Sequence, residues 1–185
     1  LGLVGQMARE MPDVHFVMLG PVVKIDPASL PRGPNLHWLG SKPYADLPAY
    51  LSHWDAGWMP FRLDESTRFI SPTKTPEFLA AGLCVTSTAV PDVVAGYGGG
   101  EGEALVRIAD ATDMAQALRA SLTAPDPAWR VAVDACLARG SWDRTWAAMR
   151  RELFAAARRS APAMPLSATL RRVDGASAEL ERRNV

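Results

Sequence analysis

A lysine and a glutamate lie one helical turn apart, at Lys74 and Glu77, in a segment that should begin a helix. The helix is predicted over 73–81, because an apolar strand precedes it and Gly82 supplies a typical glycine cap after its last turn. A lysine near a helix start opposes the helix dipole by about 0.3–1 kcal/mol. A bound anion such as a diphosphate would remove this cost. A solvated Lys74 paired with Glu77 or Glu65 explains the lysine equally well.

The neighbours of this pair add further polar groups. Glu77 could accept hydrogen bonds from a ribose diol, although acidic residues are common in first turns simply because they complement the dipole. Arg68 is a second cation close in sequence. Thr73 or Thr75 is expected to cap the helix, and Pro76 is tolerated in the first turn because its missing N–H would be unpaired there.

The elements that would hold these residues alternate between strands and helices. Because the strands are apolar throughout, the pattern predicts a parallel sheet covered on both faces, which is an α/β, doubly wound, Rossmann-like domain. Strands are predicted at 14–19, 35–39, 56–61, 83–87 and 105–108, and helices at the start of the chain and at 44–54, 73–81, 90–94, 113–122, 128–138 and 142–159.

The predicted domain covers 1–159, and its first helix has no strand before it. We therefore expect the chain to be a fragment that lacks the first strand of this domain. The run 98–102 is rich in glycine and predicts a flexible loop, and the tail 160–185 loses the apolar pattern and predicts disorder.

Composition excludes several classes of protein. The 20 basic and 20 acidic residues give a formal net charge of zero, which argues against nucleic acid as a partner. Cys84 and Cys136 lie far apart, so neither a disulfide nor a metal site is predicted, and Cys84 should be a buried thiol. With no apolar run long enough to span a membrane and no signal peptide, a cytoplasmic location fits best.

Four sequence strings together resemble the donor-binding, C-terminal half of GT-B glycosyltransferases of the family 4 type. The most specific of them is the Ser-Pro-Thr-Lys string at 71–82, in which a glutamate and Ala-Ala-Gly follow and an apolar strand comes next. The others are Asn-Leu-His-Trp-Leu-Gly at 35–40 and the segments 47–51 and 54–61. The resemblance is clear from residue 1 to about 94 and weakens towards 159.

The resemblance implies roles for individual residues. Glu77 matches the second glutamate of the family's E-x7-E motif, which binds the ribose hydroxyls of the donor. Lys74, with Arg68, would stabilise the departing diphosphate. The first glutamate of the motif should fall at Phe69, so an acidic contact with the sugar is in doubt. The remaining donor-binding residues implied are Ser71, Thr73 and Thr75, near the diphosphate, and Gly40 and Lys42, in a loop against the base.

The implied function is transfer of a sugar from a nucleotide-sugar, UDP- or GDP-linked, with retention at the anomeric carbon. No cofactor or metal is expected, and the Asp-x-Asp pair of metal-dependent transferases is absent from the sequence. The acceptor, a glycan, a lipid or a small molecule, stays open, as does peripheral membrane association of the full enzyme. The family's acceptor-binding N-terminal domain would be missing from this chain. Because the family's C-terminal helix crosses back to that domain, the resemblance implies that the apolar face of the last helix is partly exposed here and promotes association (Trp142, Trp146, Met149, Leu153 and Phe154).

Two other functions are open to a domain of this fold. A non-catalytic nucleotide-sugar-binding module, or an inactive truncated transferase, would account for a phenylalanine at position 69, where the family has a glutamate. A sugar-nucleotide epimerase has a similar fold but needs carboxylates and a histidine near the donor loop. His15, His37 and His53 are scattered in the sequence, so the epimerase is disfavoured.

Overall fold

The strands and helices predicted from the sequence are present in the computed structural model, which describes residues 1–99 and 104–160. The predicted tail beyond Ser160 and most of the glycine-rich run lie outside these residues, and Ser160 itself is the last residue of a helix. The strands are β1 (Phe16–Leu19), β2 (Leu36–Gly40), β3 (Ala56–Met59), β4 (Cys84–Ser87) and β5 (Val106–Ile108). The helices are α1 (Gly2–Glu10), α2 (Leu47–Leu51), α3 (Lys74–Ala80), α4 (Pro91–Tyr97), α5 (Met114–Ser121), α6 (Pro127–Leu137) and α7 (Trp142–Ser160).

All the described strands run parallel, which confirms the Rossmann-like α/β prediction. They form two sheets, with the order β1-β2 in one and β3-β4-β5 in the other. β1 pairs with β2 from Phe16 opposite Leu36, and β4 lies between β3 and β5. The sequence predicted one sheet, because apolar strands by themselves do not show where a sheet is divided.

Helices cover both faces of the three-stranded sheet. Gly57 in β3 lies against Phe78 of α3, whereas the next residue, Trp58, donates its indole N–H to Met114 Sδ of α5 at 3.3 Å. Successive side chains of a strand point to opposite faces, so α3 and α5 lie on opposite sides of β3. One buried cluster surrounds β3–β5, and a second joins α1 and α5 to β1 and β2.

Two predicted elements are shorter than expected for local reasons. Strand β3 ends at Met59 because Pro60 has no N–H to continue the ladder, and Phe61 N–H turns back to Met59 O at 3.0 Å. The helix predicted over 44–54 is a 3₁₀ turn followed by α2. The Ser52 hydroxyl donates to Ala49 O at 3.0 Å, a local bond of the kind that competes with helix continuation.

The close approach of α3 to β3 requires glycine at position 57. A Cβ there would lie 2.7 Å from Phe78 Cδ2 and 2.9 Å from Cγ, in a buried and well-packed region. Gly57→Ala is therefore expected to lower the free energy of unfolding by about 1–3 kcal/mol, measured by urea denaturation. Gly96→Ala in α4 is the matched control, since a Cβ at Gly96 has no neighbour within 4 Å. Equal stability of the two variants would show that Phe78 does not hold α3 against β3.

An ion pair joins α5 to the turn after α1. Arg119 donates to both carboxylate oxygens of Asp13, at 2.7 and 2.8 Å. These hydrogen bonds lower the pKa of Asp13 to about 2. A lowered pKa in the folded state means that the contribution of the pair is present above pH 3.8 and is lost as the pH falls through about 2.

The titration of Asp13 tests this pair directly. By carboxyl-carbon NMR, Asp13 is expected to titrate with a midpoint of about 2, and in Arg119→Gln the midpoint should return towards the ordinary 3.8. An unchanged midpoint in the variant would contradict the assignment of the shift to Arg119.

A second unit begins at Gly140, after the unit Leu1–Arg139. Its described part consists of Gly140, Ser141 and α7, a helix of 19 residues with Arg158 and Arg159 in its last turn. The apolar face expected from the sequence is exposed: the exposed large side chains of α7 are Trp142, Trp146, Met149, Leu153 and Phe154. The predicted domain boundary at 159 stays a prediction. Among the described residues, no helix has the length and apolar character needed to cross a membrane.

Candidate functional site

Lys74 and Glu77 lie together where α3 begins, at the carboxyl edge of β3. Lys74 Nζ donates to Glu77 Oε2 at 2.8 Å, and their side chains are 49% and 26% exposed. The ion pair between Lys74 and Glu77, which was the alternative to an anion site in the sequence analysis, is therefore present. It does not close the site, because both side chains line a cavity of about 550 Å³.

This cavity, here called the inter-sheet cavity, is bounded by β1 on one side and β3 on the other. Helix α5 contributes Leu118, the residue directly after α5 is Leu122, and α2 contributes Leu47 and Leu51. A smaller cavity of about 360 Å³ lies between α2 and α3. Glu77 lines both cavities, as do Leu47 and Leu51, so these three residues lie at the boundary between them.

The two threonines beside Lys74 differ from the sequence prediction. Thr73 occupies the N-cap position of α3 but makes no capping hydrogen bond with its side chain. Thr75 is fully buried, and its hydroxyl donates to Met59 Sδ at 3.6 Å. The predicted side-chain cap is therefore wrong, because Thr75 faces β3. Any contact of Thr75 with a donor would have to come from its backbone.

Ser71 and Arg68 lie in the loop before α3 and have partners within the protein. The Ser71 hydroxyl donates to Asp92 Oδ2 at 2.8 Å, which links this loop to α4. Arg68 Nη1 lies 3.6 Å from Glu65 Oε2, and the guanidinium group lies over the ring of Phe69. The side chain of Arg68 is 63% exposed. Arg68 does not line either cavity, so the structure does not bring it together with Lys74.

The predicted base-binding loop follows β2. Gly40 has φ +65, a left-handed conformation that glycine adopts without strain. Lys42 Nζ then lies 5.9 Å from the centre of the Tyr50 ring on α2. This contact directs Lys42 towards α2, the helix that lines both cavities with Leu47 and Leu51.

Several residues at the site were missed by the sequence analysis. Trp54 lines the inter-sheet cavity and Tyr44, 74% exposed, lines the smaller one. Both belong to an apolar stripe that the sequence assigned to a helix. For Tyr44, the available signal in the sequence was an aromatic residue directly after Pro43. Asp92, the partner of Ser71, gave no signal, because hydrogen bonds between distant loops leave no spacing pattern.

The described residues hold no group of three or more metal-ligating side chains. Cys84 and Cys136 are both free thiols, and burial raises the pKa of Cys84. His15 and His37 meet across β1 and β2, with Nδ1 and Nε2 2.8 Å apart. His15 directly precedes β1 and His37 is the second residue of β2, so the pair lies near the amino ends of these strands, and His15 also lines the inter-sheet cavity.

Comparison with known proteins gave two matches. The sequence pattern described as "Glycosyl transferases group 1" matches residues 3–124, which is more than half of the chain. The chain is also 33% identical over 92 residues to the "Putative teichuronic acid biosynthesis glycosyltransferase TuaH" of Bacillus subtilis (strain 168). This alignment covers 48% of the chain and 23% of the length of that relative. No solved structure matches the chain.

Proposed function

Because the chain belongs to the group 1 glycosyl transferases, we propose that it forms the donor-binding part of an enzyme that transfers a sugar from a nucleotide-sugar to an acceptor. The observation that carries this proposal is the position of Lys74 and Glu77 beside the inter-sheet cavity at the carboxyl edge of β3. Ligands of open parallel sheets bind at this edge. The proposed donor is UDP- or GDP-linked, and the proposed transfer retains the anomeric configuration.

Lys74 and Glu77 have hydrogen-bonding capacity left for such a donor. An ammonium group has three donors, and Glu77 uses one of those of Lys74. The others can point at a diphosphate, whose negative charge grows as the sugar leaves. The bond from Lys74 occupies one carboxylate oxygen of Glu77, so the second oxygen can accept from the ribose hydroxyls. In this arrangement the ion pair orients both groups before the donor binds.

Thermal unfolding with a panel of nucleotides tests the proposal on this chain. UDP, GDP, ADP and their glucose conjugates are compared with inorganic pyrophosphate. A ligand at 100 times its Kd adds about 2.7 kcal/mol to the stability of the native state, so one base should raise Tm by several degrees. A panel in which no nucleotide raises Tm at millimolar concentration, or in which pyrophosphate does so equally well, would contradict a nucleotide site.

A non-catalytic binding module is the second candidate, and Phe69 favours it. The Phe69 side chain is 79% exposed at the position where the resembling family has its first glutamate. A ring offers no hydrogen-bond acceptor to the hydroxyls of a sugar. If the complete protein bound a nucleotide-sugar but neither transferred nor hydrolysed the sugar, this second function would be the correct one.

A further inference from the structure

The segment 61–71, which leads from β3 towards α3, is tied to the neighbouring part of the chain at both of its ends. At the first end, the hydroxyl of Thr88, a buried residue directly after β4, donates to Phe61 O at 2.8 Å. At the second end, the hydroxyl of Ser71 donates to Asp92 Oδ2 at 2.8 Å. The first turn of α4 and the residues before it therefore hold both ends of the segment that leads to Lys74.

The middle of this segment folds on itself. The hydroxyl of Thr67, for example, donates to Arg62 O at 2.6 Å. Ile70 packs against the buried cluster around β3–β5. An apolar contact of this kind fixes how deeply the chain lies but not its direction, because the hydrophobic effect is not directional. The hydrogen bond from Ser71 to Asp92 supplies a direction just before α3.

Asp92 accepts this bond from a firmly held position. It is the second residue of α4, and Val90 and Val93, which lie before and after it, are fully buried. Val94 N–H closes the first turn of α4 by donating to Val90 O at 3.0 Å. The backbone that carries the Asp92 carboxylate therefore cannot shift without disturbing two core valines.

The connection from Ser71 to Lys74 is stiff. The ring of Pro72 fixes its own φ, and it restricts Ser71, the residue before it, to extended conformations. Thr75 N–H donates to Pro72 O at 3.2 Å, which closes a turn around Lys74. The direction that is set at Ser71 is therefore carried through Pro72 to the backbone from which the Lys74 side chain leaves.

We propose that Asp92 is a positioning residue, which acts through Ser71 to direct Lys74 at the inter-sheet cavity. This inference rests on the proposed function, because it concerns how the same site is held. An acidic residue in a first turn also complements the helix dipole, but that role does not require a hydrogen bond to another segment. Ser71 and Asp92 are both exposed, so water competes for their bond and its contribution to folding is small.

The charge of Asp92 gives the positioning role a distinct signature. A carboxylate near an anion site repels a diphosphate, so loss of the charge by itself should tighten nucleotide binding. Asp92→Asn loses the charge but keeps an oxygen that accepts from Ser71, so it should bind UDP or GDP at least as tightly as the wild-type chain. Asp92→Ala loses both the charge and the acceptor, and it should bind about threefold to tenfold more weakly.

Calorimetric titration of the full chain with UDP and GDP measures these affinities. Ser71→Ala removes the same hydrogen bond and should weaken binding by a similar factor. The double variant Ser71→Ala, Asp92→Ala should bind no more weakly than either single variant, because the two residues act through one contact. Asp113→Ala is the matched control and should leave binding unchanged, since Asp113 is an exposed carboxylate at the N-cap of α5 that makes no capping hydrogen bond.

A second readout needs no nucleotide. In ¹⁵N relaxation of the free chain, the order parameters of the Ser71, Thr73 and Lys74 amides should fall in Asp92→Ala and stay unchanged in Asp92→Asn. If the wild-type chain binds no nucleotide, the proposed function fails, and these order parameters still decide whether Asp92 holds the segment. The inference is overturned if they are unchanged in Asp92→Ala. It is also overturned if the wild-type chain binds a nucleotide and Asp92→Ala binds it as tightly or more tightly.

Discussion

Replacing Lys74 with methionine is expected to lower kcat/KM of the complete enzyme by about a hundredfold to a thousandfold, the usual effect of removing one group that stabilises developing charge. The same change should weaken UDP or GDP binding to this chain. The reason is that Lys74 lies beside the inter-sheet cavity with donors still available. The measurement is steady-state release of the nucleotide, with calorimetric titration of the chain as the binding assay.

The controls separate this role from that of a surface ion pair. If Lys74 only pairs with Glu77, Lys74→Met and Glu77→Gln remove an exposed ion pair, which costs at most about 1 kcal/mol of folding stability. Nucleotide binding should then be unchanged in both variants. Lys24→Met removes the same charge from a residue that lines neither cavity. Normal turnover in both Lys74→Met and Glu77→Gln would show that the site has been assigned to the wrong residues.

Asn35→Asp is expected to lower the free energy of unfolding by about 3 kcal/mol or more, because it buries a carboxylate among carbonyl oxygens. The amide of Asn35 is 3% exposed and donates to Ala8 O, Met11 O and Val14 O at 2.8–3.0 Å. These bonds tie the end of α1 and the turn before β1 to the residue that directly precedes β2. Urea denaturation followed by circular dichroism measures the loss.

The pH dependence of this variant identifies the cause. Burial should raise the pKa of the new carboxyl group in the folded state, so the variant should regain stability as the pH falls and the group becomes a neutral donor. Gln116→Glu is the matched control, since Gln116 is exposed on α5 and the same amide-to-carboxylate change there stays in solvent. A loss below about 1 kcal/mol for Asn35→Asp would mean that the three carbonyl groups do not depend on this amide.

The sequence predicted the order and type of the elements well, because both are set by local patterns. The apolar runs predicted the strands. Gly82, with φ +79, follows the C-cap of α3, as predicted. The burial of Cys84 was also predicted correctly. These features depend on residues a few positions apart, which is the range that a periodic pattern can report.

The parts that were not predicted depend on contacts between distant residues. The ion pair of Asp13 with Arg119 and the hydrogen bond of Ser71 with Asp92 join segments far apart in the chain. The prediction for Thr75 was wrong because cap preferences do not take into account the buried contact of its hydroxyl with Met59. Similarly, the division into two sheets depends on what lies between β1 and β3, and no strand of the described chain lies there.

The most direct test of the central claim is an NMR titration of the ¹⁵N-labelled chain with UDP and GDP. The claim is that Lys74, Glu77 and the adjoining loop bind the diphosphate and ribose of a nucleotide-sugar. It predicts saturable shifts for the backbone amides of Ser71 and of residues 73–77, and their loss in Lys74→Met. Saturable shifts confined to other parts of the chain, or no shifts with either nucleotide, would contradict it.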